Sequence, residues 1–250
     1  YVSNNPARYI DPSGHGECDP NKTDCEPIDC EVTLHASACD TLSPEEKMMR
    51  KIYRTFGITF TSDSGKEWEW DIEELKTVYN ALLDIGKKLA RILDMNNAGD
   101  AFRKLFGTST ANPITFHMSK SDCACYAETG HDTRTITFYG GNPKFNLSKA
   151  LIAHELGHYL NKEHGNFGRD AYLDWMDSGE APTLNQCFAS GKGTTFFGGT
   201  FPEDKSKHAS EKFADMFQAW VYPENFTKND GWQDKCQHWA EVTMWNAFSP

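Results

Sequence analysis

Three residues on one stretch have the types and spacing to do chemistry: His154, Glu155 and His158 in Ala150-Leu151-Ile152-Ala153-His154-Glu155-Leu156-Gly157-His158-Tyr159-Leu160. Four residues apart on a helix, the two histidines share one face, with β-carbons roughly 5–6 Å from each other. Two imidazoles so placed can converge on a single metal ion. Glu155 lies about 100° around the helix from His154, beside the ligand stripe, where a carboxylate can reach an attacking water. A lone histidine in such a place is better explained as a satisfied core side chain. Here, though, a buried glutamate is costly without a partner, and the set supplies the parts of a zinc-dependent hydrolase site.

These groups need a rigid, buried carrier. Asn146 is a good N-cap, the segment from Leu147 to Leu160 has no proline, and apolar residues fall nearly all the way round, so a buried helix is expected there. Ahead of it, Ile114-Thr115-Phe116-His117-Met118 and Arg134-Thr135-Ile136-Thr137-Phe138-Tyr139 alternate and carry β-branched and aromatic residues, which reads as two strands. Their free edge would suit an extended peptide added as a further strand. Ser43-Pro44-Glu45-Glu46 starts a helix whose stripe is Met48, Met49, Ile52 and Tyr53, ended by Gly57. Asp71 caps a long helix from Ile72 to Leu93, and a short one runs from about Asp100 to Phe106. Glycine-rich Asp170 to Lys207 is expected to be a loop with a short strand over the cleft. Trp232 to Phe248 is read as a final helix packing its aromatics on the active-site helices. The expected class is therefore α+β, mostly helical, with a small antiparallel or mixed sheet before the active-site helix.

A catalytic zinc needs a third protein ligand and an open position. One candidate is His164, six residues after His158; the run from His154 to His164 resembles the long motif of metzincin proteases. That family has glycine where this chain has Asn161, and it implies a methionine turn, for which Met176 in Asp174-Trp175-Met176-Asp177 is the available residue. The other candidate is Glu211. Phe213, Met216, Phe217 and Trp220 form an apolar face, and Glu211 and Asp215 lie opposite it, where periodicity alone suggests exposure. Yet Glu211 followed by Asp215 is similar to the arrangement in gluzincin proteases. That resemblance implies that Glu211 binds zinc and Asp215 holds a ligand histidine through its other nitrogen, fixing tautomer and orientation. Ala209, Ala214 and Ala219 would permit close packing on another helix. Glu211 is the expected third ligand, with His164 as the alternative. For stabilising the oxyanion, Tyr222, His208 and Tyr139 are candidates, each also explicable by packing or exposure.

Composition bounds the rest. Twenty-five Lys+Arg against 36 Asp+Glu give a net charge of −11, which argues against nucleic acid or an anionic membrane as partner. Apolar runs fall far short of the ~20 residues of a membrane span. Eight cysteines, four of them (Cys18, Cys25, Cys30, Cys39) in one acidic segment and four (Cys123, Cys125, Cys187, Cys236) dispersed, favour disulfides and an oxidising compartment at some stage.

The chain opens with Tyr1-Val2-Ser3, neither a methionine nor a charged signal region, and is expected to be a piece of something longer. Asn5-Pro6 and Asp11-Pro12-Ser13-Gly14 resemble the end of the core region of bacterial RHS/YD-repeat proteins, whose variable C-terminal domains are often toxins. The segment from Ser210 to Tyr222, with Trp232, Trp239 and Trp245, is similar to zincin-like domains attached to such proteins. The resemblance implies three parts: 1–16 as the end of a shell region, 17–42 as a cysteine-rich acidic linker or lid, and 43–250 as a zincin-like domain. It also implies an upstream shell and an immunity protein as partners, a protein or peptide substrate, and secretion or delivery into a target cell. The expected activity is that of a zinc endopeptidase with Glu155 as general base. The alternative is a catalytically silent zincin-like module of the shell.

Overall fold

The computed structural model describes residues 42–63, 70–121, 125–143, 145–179, 205–225 and 232–250. The regions expected to be a shell end and an acidic linker lie almost wholly outside the described residues, as does 180–204 of the glycine-rich stretch expected to be a loop over the cleft.

Helix α1 (Pro44–Phe56) starts where its sequence directs. Ser43 accepts from the Glu46 amide while the Glu46 side chain reaches back to the Ser43 amide, and Gly57 ends the helix in the left-handed region at φ 71°. A side chain at Gly57 would also meet Thr108, with a β-carbon 2.8 Å from its Cβ. Strand β1 (Ile58–Ser62) follows at once. Asp71 and Glu74 form the same reciprocal cap for α2 (Ile72–Ile92), and α3 (Ala98–Phe106) follows, ended by Gly107.

Strands β2 (Ile114–Ser119), β3 (Ala127–Gly130) and β4 (Thr135–Tyr139) complete one mixed four-stranded sheet in the order β1-β2-β4-β3. β1, β2 and β4 are parallel; β3 pairs antiparallel with β4 at the edge. The register aligns Phe60, Phe116 and Ile136 on one face and Thr59, Thr115 and Thr135 on the other. The first row is buried, so the sheet presents one face to the core. Trp70 seals it edge-on to Phe60 at 5.1 Å between ring centres, its Nε1 donating to the Thr61 carbonyl at 3.1 Å. Of the four strands, β1 and β3 are additions to the two expected from sequence. The class is α+β, mostly helical, as anticipated.

The chain continues with α4 (Lys149–Glu163), α5 (Phe167–Asp177), α6 (Lys205–Val221) and α7 (Trp232–Phe248), of which α4 packs against α2, α6 and strand β3. Three boundaries differ from expectation. The central helix is capped by Ser148, whose side chain accepts from the Leu151 amide, and not by Asn146. It also runs on to Glu163, because Asn161 stays helical. Residues Asp170 to Asp177, expected in a loop, belong to α5, so Met176 sits on a helix rather than in a turn. On α7 the buried seam is Cys236, Ala240 and Met244, with Trp239 stacked on Trp175 at 5.0 Å, whereas Trp245 is 48% exposed. No helix among the described residues is long and apolar enough to cross a membrane.

Candidate metal centre

The centre is made where α4 and α6 come nearly into backbone contact. A β-carbon at Gly157 would lie 3.1 Å from Ala214 Cα and 3.2 Å from Phe217 Cβ. Only glycine opposite alanine permits that approach, and its consequence is that the polar face of α6 meets the histidine face of α4. α6 is consequently buried on nearly every side from Ala209 to Tyr222, including Asp215.

Nε2 of His154 and Nε2 of His158 lie 3.2 Å apart. Oε2 of Glu211 is 3.2 Å from His158 Nε2 and 3.4 Å from His154 Nε2. A tetrahedral zinc with bonds of about 2.0–2.2 Å sets its ligand atoms about 3.3–3.6 Å apart, close to what the three donors show. The three donors therefore match zinc in type and spacing, and among the described residues they are the one such group of His, Cys, Asp and Glu. His154 forms the floor at 1% side-chain exposure, whereas His158 and Glu211, at 16% and 24%, open to the surface.

The outer contacts are equally specific. Nδ1 of His154 lies 3.0 Å from Oδ1 of Asp215, close enough for an ion pair although the ring N–H is not in line for a strong hydrogen bond. Ser210 Oγ is 3.4 Å from Nδ1 of His158. Glu155 is buried, and Thr129 on edge strand β3 donates to its Oε2 at 2.7 Å. Burial alone would lower the His154 pKa, but the Asp215 contact and then Glu211 outweigh it and hold the imidazole up to about 10. Burial would likewise raise Glu211, yet His154 and His158 hold its carboxyl well below the usual carboxylate range. Both shifts describe a pocket that favours positive charge between these three side chains, as a divalent cation would supply.

A cleft of about 730 Å³ opens over the group, walled by Ala127 to Thr133, by Glu155, His158, Asn161 and Lys162 of α4, and by Ser210 and Glu211. Among the described residues β3 is the outermost strand of the sheet on that side, and its residues Ala127 to Gly130 line the cleft. At the far end His131 is held 3.0 Å from Glu163.

The remaining candidates lie elsewhere. His164 donates from Nε2 to the Leu105 carbonyl at 2.7 Å and packs on Phe167 and Phe248, turned away from the other histidines. Asn161 explains why. Its Oδ1 accepts from the amides of Gly168 and Arg169, both at 3.0 Å, and thereby caps α5. Tyr222 is eleven residues beyond Glu211, about 16 Å along the helix. It lines a different cleft with Asp84, Lys88, Arg91 and Lys149 and is thus not placed to serve an oxyanion here. The Tyr139 hydroxyl donates to Glu128 at 2.9 Å, beside the cleft but already engaged. The side chain of His208 lies outside the described part. Thr129 and Ser210, which nothing in the sequence singles out, touch Glu155 and His158.

Compared with known proteins, the chain matches no family model, no curated protein and no solved structure.

Proposed function

We propose that the protein is a zinc-dependent endopeptidase whose metal is held by His154, His158 and Glu211. The observation that carries this reading is the spacing of the three donors at 3.2, 3.2 and 3.4 Å beside the buried carboxylate of Glu155.

When bound, zinc would act as a Lewis acid, polarising the scissile carbonyl and lowering the pKa of the attacking water towards roughly 7. The chain's own residues do the rest. Glu155 takes the proton of the attacking water and later passes it to the leaving amine. Thr129 occupies Oε2 of that carboxylate and so leaves Oε1 for the water. Asp215 and Ser210 stand at the second nitrogens of His154 and His158 and orient the rings. An extended substrate adds to the outer edge of β3, its backbone hydrogen-bonding to a strand that itself holds the general base. The resemblance of residues 1–16 to the end of an RHS shell, together with disulfides at Cys125 and Cys236, supports a secreted or delivered cargo passing through an oxidising compartment.

The test is cleavage of a peptide library by the zinc-loaded chain, wild type against Glu155→Gln. The wild type is expected to cleave and the variant to bind zinc without cleaving. Zinc uptake with no cleavage by either protein would leave a silent zincin-like module.

A further inference from the structure

The mechanism has no use for one buried charge. Lys212 follows the ligand Glu211 directly, yet it is only 6% exposed. An ammonium group at such a site is costly unless a partner compensates it. Its Nζ lies 3.4 Å from Oδ2 of Asp215 on the next turn of α6, and Asp215 is itself buried. The other oxygen of that carboxylate, Oδ1, is the atom 3.0 Å from His154 Nδ1. Asp215 is thus held at both ends, by a lysine on its own helix and by a metal-ligand histidine on the facing helix.

We infer that Lys212 is a positioning residue for the metal centre: it fixes the rotation of the Asp215 carboxylate, which in turn aims His154 Nε2 at the point shared with His158 and Glu211. The inference rests on the metal-centre reading above. An aspartate carboxylate turns in a broad, two-fold well about its terminal torsion, so one contact to an imidazole does not lock it. A second contact to Oδ2 does. Because Lys212 and Asp215 are three residues apart on one helix, the lock is built into α6 and arrives together with Glu211. Groups behind metal-ligating histidines typically change metal affinity by 10–100-fold when removed, because ring orientation is lost. A lysine that merely balances a buried aspartate would affect folding stability and leave the metal affinity alone.

The experiment measures zinc affinity by chelator competition on the full chain, alongside thermal melting of the metal-free protein. It compares wild type, Lys212→Met, Lys212→Arg, Asp215→Asn and the double variant Lys212→Met/Asp215→Asn. Lys212→Met is expected to weaken zinc binding about tenfold and Lys212→Arg to retain most of it. On the Asp215→Asn background, Lys212→Met should add little, because the group it orients is already disabled. The double variant carries no unpaired buried charge, which keeps the comparison available if Lys212→Met folds poorly. Wild-type zinc affinity in Lys212→Met, with or without lower melting, overturns the inference while leaving the metal centre intact. So does an equal loss on the Asp215→Asn background. A wild type that takes up no zinc overturns the metal centre and this inference together.

Discussion

Gly157 and Ala214 face each other across α4 and α6 at a distance that leaves no room for one more carbon: a β-carbon on Gly157 would lie 3.1 Å from Ala214 Cα. That contact sets the helix separation on which the approach of Glu211 to both histidines depends. Gly157→Val should force the helices apart, costing about 1–3 kcal/mol by overpacking. Zinc affinity should fall with it, read by denaturant titration and chelator competition. Unchanged zinc binding in a well-folded variant would mean that the contact does not set the geometry.

Thr129 supplies the second prediction. Its hydroxyl is the donor at 2.7 Å that orients Glu155, and hydrogen bonds to charged groups are worth about 1.5–3 kcal/mol. Thr129→Val is therefore expected to lower kcat about tenfold or more while zinc content stays at the wild-type level. Parallel kinetics and metal analysis separate this from a fold defect, which would lower both.

The metal-free protein should lose stability on the alkaline side. His154 has its pKa raised from 6.5 to about 10, so its contribution is complete below the unfolded value and disappears as pH rises through the folded one. Glu211, lowered from 4.5, contributes above its unfolded value and loses that contribution as pH falls below it. Urea midpoints of the metal-free chain should be highest between these two unfolded values and decline from about pH 6.5 towards 10. His154→Gln should flatten that decline, and a midpoint that instead rises across the interval contradicts the assignment.

Asn161 carries a fourth prediction, since it caps α5 from within α4. Asn161→Ala should cost about 1–3 kcal/mol, measured by denaturant unfolding, because the buried Gly168 amide and the partly buried Arg169 amide lose their acceptor. Asn161→Gly should cost at least as much and should not recruit His164, which is tied to the Leu105 carbonyl.

How far the site could be read in advance follows from where its information lies. His154, Glu155 and His158 are legible because their relation is local, fixed by helical spacing alone. Glu211 and Asp215 are half legible. Their resemblance to the gluzincin pair implies a ligand and its support, but they sit opposite Phe213, Phe217 and Trp220, and periodicity cannot distinguish a polar face turned to water from one turned to a histidine pair. Thr129 and Ser210 are not legible, because each acts through a contact between elements; Lys212 is not, because its i,i+3 pair with Asp215 reads as an ordinary solvated ion pair until the burial of α6 is known. β3 is not legible, since Ala127-Glu128-Thr129-Gly130 has one β-branched residue and a glycine; its strand geometry comes from pairing with β4. α5 is hard to read because only Gly168 and Tyr172 of its residues are buried, its own N-cap Asn166 makes no side-chain cap, and the side chain that caps it, Asn161, stands outside its sequence.

Zinc stoichiometry of three purified proteins tests the central claim most directly. The account predicts one zinc per chain for the wild type and for His164→Ala, and loss of tightly bound zinc in Glu211→Ala. Retention of zinc by Glu211→Ala with loss in His164→Ala would contradict it and assign the third ligand to the end of α4 instead.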